Sequence, residues 1–324
     1  MVRRDGYMAV LVAAGTWALA AAGATAVADE PAGSGRPGEA APAARKPAGE
    51  GLEPTSEWRK PLPIGLSADY TLVSDYIWRG ANFSEYAGEG AEAPNHQVSL
   101  GASYDAGRWG VFGAAMWFEF FQGQNDLARA SDCCLQEMDL VLSWSYGLSQ
   151  LSECVPVTFE TGWIRYVFPN AGGDARATDE WYVRLDVDDS GLWGTAGGVL
   201  NPFVAYYLDV DDVRGSWLEV GIGHDFALAE MGMDNTPVLK NVTVAPSLVL
   251  GIDHRYWSDT TRLGNLLYGL AVGYDLSGAL GLPERYGILG VSGFLNYSQP
   301  LADSFRADGM NGELYGGVSV GWQW

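Results

Sequence analysis

From Leu66 to the end of the chain, apolar and polar side chains alternate with a period of two. The last segment is the clearest. Leu314, Gly316, Val318, Val320, Trp322 and Trp324 share one face, and Tyr315, Gly317, Ser319, Gly321 and Gln323 share the other. Segment 265–276 repeats the pattern, with Leu266, Tyr268, Leu270, Val272, Tyr274 and Leu276 set against Leu267, Gly269, Ala271, Gly273 and Asp275. Alternation this long marks strands whose two faces meet different surroundings. Further strands are predicted at 66–79, 96–105, 109–120, 136–147, 155–168, 179–188, 200–210, 215–227, 240–254 and 286–297, about twelve in all, and an even number returns the C-terminus to the starting side.

The faces say what those surroundings are. One is continuously apolar; the other is Gly, Ser and acid. A soluble sandwich needs a polar outward face, and small polar residues fill a dry core badly. The pattern therefore predicts an all-β fold: a closed antiparallel up-and-down transmembrane β-barrel over 64–324, greased outside and polar within. Tyr76 and Trp78, Phe118 and Phe120, Trp144 and Tyr146, Tyr256 and Trp257, and Trp322 and Trp324 fall near strand ends, as two headgroup-level girdles would. Strand 155–168 breaks the rule, because Val157, Phe159 and Trp163 share a face while Ile164, Tyr166 and Phe168 lie on the other. A bulge near Gly162 or Trp163 is expected to restore both halves; without it Arg165 points at lipid.

Composition agrees. The 324 residues include 43 Gly, 13 Trp, 16 Tyr and 11 Phe, and only 18% are charged, below the quarter or so usual in soluble domains. Arg3 and Arg4, the apolar run Met8 to Ala22, and Ala26-Val27-Ala28 read as a secretory signal over 1–28. Residues 29–63 are rich in Pro, Ala and Gly, so a disordered periplasmic linker is expected there, with peptidoglycan tethering as the alternative. A net charge of -21 argues against a nucleic-acid partner. Counted from a periplasmic N-terminus, Cys133 and Cys134 fall in an outer loop and Cys154 in a periplasmic turn, too far apart for a disulfide. Without Cys-x-x-Cys spacing no metal or cofactor is expected. The expected partners are outer-membrane lipid, the barrel-assembly machinery through the strand ending at Trp324, and small solutes.

The polar face carries Asp69, Asp75, Asp105, Glu119, Asp139, Glu160, Asp186, Asp188, Asp209, Glu219, Asp225, Asp253 and Asp275, with Arg79 and Arg184 as the main inward cations. A lumen lined mostly by carboxylates favours cations and polar neutral solutes. The residues expected to line it are Asp69, Asp75, Arg79, Glu119, Asp139, Glu160, Arg184, Asp186, Glu219, Asp225, Asp253 and Asp275. Twelve strands lie between barrels that side chains fill and wide aqueous porins. Inward glycines (Gly101, Gly113, Gly162, Gly221, Gly251, Gly269, Gly273, Gly317) favour open space. A passive channel is thus the leading expectation, and a blocked structural or surface-interaction barrel is the alternative. Among the histidines, His224 shares a face with Ser216, but too far along the strand to bond it, and His254 precedes Ser258 and Asp259 in a loop. No nucleophile–base pair is evident, so no enzyme is expected; a lipid-modifying activity would rest on His224. The acidic stretch Asp209 to Asp212 lacks the spacing of a calcium loop.

One segment, Ser67-Ala68-Asp69-Tyr70-Thr71-Leu72-Val73-Ser74-Asp75-Tyr76-Ile77-Trp78-Arg79-Gly80, resembles the opening strand of an uncharacterised family of bacterial outer-membrane barrels, the TorF/Gcw type, which carries Val-Ser-Asp-Tyr-x-x-Arg-Gly. The resemblance covers these residues only. It implies an outer-membrane barrel, and it implies that Asp75 and Arg79 form an inward pair near the outer rim. The Pro/Ala-rich linker and the Cys133-Cys134 loop depart from that family. In size the chain is also similar to twelve-strand nucleoside channels, without a shared motif.

Overall fold

The alternation resolves into a closed 12-strand antiparallel β-barrel. The computed structural model describes residues 63–84, 94–121, 135–152, 156–169, 177–194, 198–307 and 309–324. The signal, the linker up to residue 62 and the three cysteines lie outside them. The wall consists of β1 (Ile64–Val73), β2 (Asn95–Asp105), β3 (Val111–Phe121), β4 (Leu135–Gly147), β5 (Val157–Val167), β6 (Ala177–Val187), β7 (Phe203–Asp209), β8 (Ser216–Gly223), β9 (Val242–His254), β10 (Thr261–Asp275), β11 (Ile288–Pro300) and β12 (Glu313–Gln323). Each strand pairs with its chain neighbour. The ring closes through β1 and β12, in register from Ser67 opposite Gln323 to Val73 opposite Gly317. Trp324 finishes the seam by exchanging backbone hydrogen bonds with Leu66. Among the described residues, closure leaves no edge of the wall unpaired, the condition for spanning lipid with strands.

The outward positions are the expected apolar ones. Leu100, Phe112, Leu142, Leu270, Leu295, Val318 and Val320 are all exposed. Such a wall is unstable in water and at rest in hydrocarbon. At the end where β1 starts and β12 finishes, the girdle forms as anticipated. Trp322 and Trp324 donate their indole N–H to the carbonyls of Tyr286 and Arg285 at 2.8 and 3.0 Å, and Trp144 donates to Trp109.

Three expectations are corrected. The first strand ends at Val73, not at 79, because the chain turns into the lumen. Tyr76, Trp78 and Tyr256 are consequently interior and belong to no girdle. Strand β5 has no bulge: its register with β4 and β6 is unbroken. Arg165 does point outward, where Asp179 on β6 pairs with it at 3.0 Å near the end opposite the start of β1. Register shifts occur instead in β4, where Phe120 faces Leu135 while Glu119 faces Glu137, and in β10, where Ile252 faces Leu263 while Leu250 faces Leu266. The extra residue in β10 lies by Gly264 and Asn265, and the indole of Trp217 packs over Gly264 and Gly251, where any Cβ would strike it.

Candidate functional site: the closed end of the lumen

The site begins with local backbone chemistry. After Val73 the chain forms a tight hairpin in which Ile77–Trp78 pairs with Ala81–Asn82. The two-residue tip is Arg79-Gly80, with φ of 48° and 83°. Positive φ at both tip residues is the turn that matches the twist of a two-stranded ribbon. Glycine takes it freely; arginine takes it at a cost of about 1–2 kcal/mol. A Cβ on Gly80 would also meet the Phe305 ring at 2.7 Å. The Tyr76 and Phe83 backbones bond across the base of the hairpin, and Ser84 Oγ accepts from Tyr76 N at 2.9 Å.

This hairpin fills the lumen at the end away from the start of β1 and the end of β12. Tyr76, Trp78, Trp117, Tyr166, Trp217, Tyr256, Phe305 and Met310 form one buried cluster. Trp78 meets Tyr256 and Trp257 edge-on at 5.5 Å each. Phe305 comes from the connection between β11 and β12, and Tyr256 from that between β9 and β10. Two loops and the hairpin therefore meet inside the wall.

Arg79 is the polar centre of this plug. Its guanidinium donates to both oxygens of Glu180 on β6, at 2.7 and 3.0 Å, and the two side chains are only 3% and 0% exposed. Tyr166 on β5 donates to the same carboxylate at 2.7 Å. Rings surround the cation: Trp78 at 4.4 Å, Tyr256 at 4.5 Å, Tyr207 at 4.7 Å and Trp217 at 5.9 Å. A fork-to-fork pair in a dry aromatic shell is a strong, directional contact. Around it, Arg262 binds Asp253 at 3.0 Å, and Asp253 also accepts from the backbone N–H groups of Tyr256 and Trp257, which fixes the loop that carries two of the rings. Glu119, Glu137 and Asp139 are buried beside the hairpin, and Tyr76 donates to Glu137 at 3.2 Å.

Toward the end where β1 starts, the inward polar side chains are less buried. Asp69, Glu160, Arg184, Asp186 and Glu219 are partly exposed there, among Ser67, Ser103, Ser143 and Ser319. Tyr182 donates to Glu160 at 2.7 Å. Arg184 is held by Asp186 at 2.6 Å and lies 4.0 Å over the Phe203 ring. Trp217 donates to Glu219 at 3.2 Å. A Cβ on Gly273 would meet nothing within 4 Å.

The residues named from sequence therefore separate into three groups. Asp69, Glu160, Arg184, Asp186 and Glu219 are partly exposed. Arg79, Glu119, Asp139 and Asp253 lie in the closed half, buried rather than water-lined. Asp75, Asp225 and Asp275 lie at strand ends and turns, with Asp225 exposed; Asp275 caps the short helix Leu276–Leu280 by accepting from Gly278 N at 2.9 Å. The carboxylate that Arg79 grips is Glu180, not Asp75. Asp209 organises its turn, accepting from the backbone N–H of Asp211, Val213 and Arg214 and from the Thr178 hydroxyl. Several inward glycines make room for rings instead of open space: Gly162 for Tyr182, Gly221 for Phe203, Gly251 for Trp217 and Gly317 for Phe294. His96 bonds Tyr70, His254 bonds Thr261, and His224 packs on Phe226.

No protein-family model and no curated protein matches the chain, so the resemblance at Ser67–Gly80 stands on those residues alone. Solved structures similar to it include the KdgM porin, at 14% identity over 79% of this chain and 98% of that one, with a TM-score of 0.41. An outer-membrane channel from Pseudomonas putida F1 shares 7% identity over 84% of this chain and all of its own, with a TM-score of 0.46. The NanC porin shares 11% over 80% and 97%, with a TM-score of 0.40. At these values neither solute nor mechanism carries over. The closed barrel and its apolar wall place the protein in the bacterial outer membrane.

Proposed function

We propose that the protein is an outer-membrane channel held shut at one end, with a vestibule at the end where β1 starts that receives small cationic or polar neutral solutes. The observation that carries this reading is the Arg79–Glu180 pair. One hairpin, pinned by one ion pair, sits inside a barrel whose other half carries partly exposed polar side chains. In the vestibule Asp69, Glu160, Asp186 and Glu219 outnumber Arg184, and Asp186 already neutralises Arg184, so the remaining field favours cations. In this reading the end where β1 starts faces the periplasm, the hairpin end faces outward, and the barrel-assembly machinery recognises the strand ending at Trp324.

The burial of the hairpin favours a second reading, a barrel filled for good that serves a structural or surface role. Swelling of proteoliposomes separates the two. Carrying E180Q, vesicles should admit lysine and a neutral sugar of similar size faster than glucuronate. Equal or faster entry of the anion would refute the acidic vestibule. No entry of any solute through folded E180Q would favour the filled barrel.

A further inference from the structure

The plug contains a binding site that the protein fills with its own side chain. We propose that Glu180, Tyr166, Tyr207, Trp217 and Tyr256 form a pocket for a guanidinium-type cation, with Arg79 as its built-in occupant, and that a free solute carrying this group takes the same place when the hairpin leaves. The proposal rests on the channel reading for how Arg79 departs, but not for the pocket itself.

Every member of the set belongs to the wall or to its fixed loop. Tyr166, Glu180, Tyr207 and Trp217 come from the four consecutive strands β5 to β8, and Tyr256 from a loop locked by Asp253. Of the rings within 5 Å of the guanidinium, Trp78 alone travels with Arg79. Hairpin withdrawal thus exposes an assembled pocket.

Its chemistry is selective. Glu180 presents both oxygens to a planar fork at 2.7 and 3.0 Å, a match for guanidinium that a compact ammonium cannot duplicate. Tyr166 keeps the carboxylate oriented from the wall side. Rings at 4.5 and 4.7 Å offer their faces to a delocalised cation. Once Arg79 leaves, a carboxylate that was wholly buried has lost its counter-charge, which is costly until another cation arrives. The left-handed φ at Arg79 adds backbone strain to the self-occupied state. Both features favour exchange with a solute.

Chemical rescue tests this. The purified R79A barrel is titrated with methylguanidinium, with L-arginine, and with the neutral isostere L-citrulline at matched ionic strength. Methylguanidinium and arginine should raise its melting temperature saturably, by roughly 3–6 °C at about ten times the dissociation constant. Citrulline should leave it unchanged. The shift should vanish in R79A/E180Q and be absent from the wild type, whose pocket is occupied. If R79A does not fold alone, the readout becomes the yield of heat-modifiable barrel on refolding with low-millimolar methylguanidinium, with R79A/E180Q again as control. No rescue of R79A, or rescue of equal size in the double variant, overturns the pocket. An R79A barrel that binds methylguanidinium yet never conducts contradicts the channel reading and leaves the pocket standing. One that conducts but binds nothing contradicts the pocket alone.

Discussion

Breaking the Arg79–Glu180 pair from each side should reveal strong coupling between the two residues. Opposite charges about 4 Å apart attract by about 4 kcal/mol at an effective dielectric near 20, and desolvation takes back part of that. Removing one partner leaves the other charged and buried, at a cost of about 3–5 kcal/mol. E180Q strands a guanidinium that is 3% exposed. R79A strands a carboxylate that is 0% exposed and also removes the cation from four rings. In R79A/E180Q neither charge remains, so the double variant should be less unstable than the two singles together, with a coupling of about 2–3 kcal/mol. Urea unfolding of the vesicle-inserted barrel, followed by tryptophan fluorescence and by the gel shift on heating, measures all four corners. Additive effects, with coupling below about 0.5 kcal/mol, would refute a direct buried pair.

Two other perturbations test neighbouring parts of the account. G80A should cost about 2–4 kcal/mol, from left-handed alanine and from a methyl forced against Phe305; an effect under about 0.5 kcal/mol in the same urea titration would contradict the hairpin's turn. Asp189 is a test by pH. Burial acts to raise its pKa, but hydrogen bonds from the Trp193 indole and from the backbone N–H of Leu200, Val199 and Asn201 outweigh that and hold it at about 2. Its folded pKa lies below the ordinary 3.8, so its contribution is complete above that value and lost as pH falls toward 2. Against wild type, D189N should lower the urea midpoint at neutral pH and flatten its decline between about pH 4 and 2. Parallel profiles would contradict the assignment.

The wall was legible because lipid imposes a strict rule on alternate residues, and strands such as 314–324 obey it throughout. The plug was less legible because it escapes that rule. Tyr76, Ile77 and Trp78 are three apolar residues in succession, which a strand with one wet face does not carry, and Arg-Gly after them is a tight-turn pair. Together they signal a segment buried on both sides, yet the alternation runs on through Arg79 and hides the end of the strand at Val73. Glu180 lies on the same face as Arg184 and Asp186, so its inward direction could be read; its partner could not, since the hairpin meets β6 only in three dimensions. Phe305 and Met310 sit in a connection with no periodicity. The glycines misled for a packing reason: a bare backbone next to Trp217 or Tyr182 is space already taken by a ring.

The central claim is that the Arg79 hairpin shuts the barrel. Planar-bilayer recording of the wild type beside E180Q, both verified as folded by heat modifiability, tests it most directly. The wild type should be mostly silent, and E180Q should show sustained openings that pass potassium in preference to chloride. A wild type that conducts steadily, or a folded E180Q that stays silent, would contradict it.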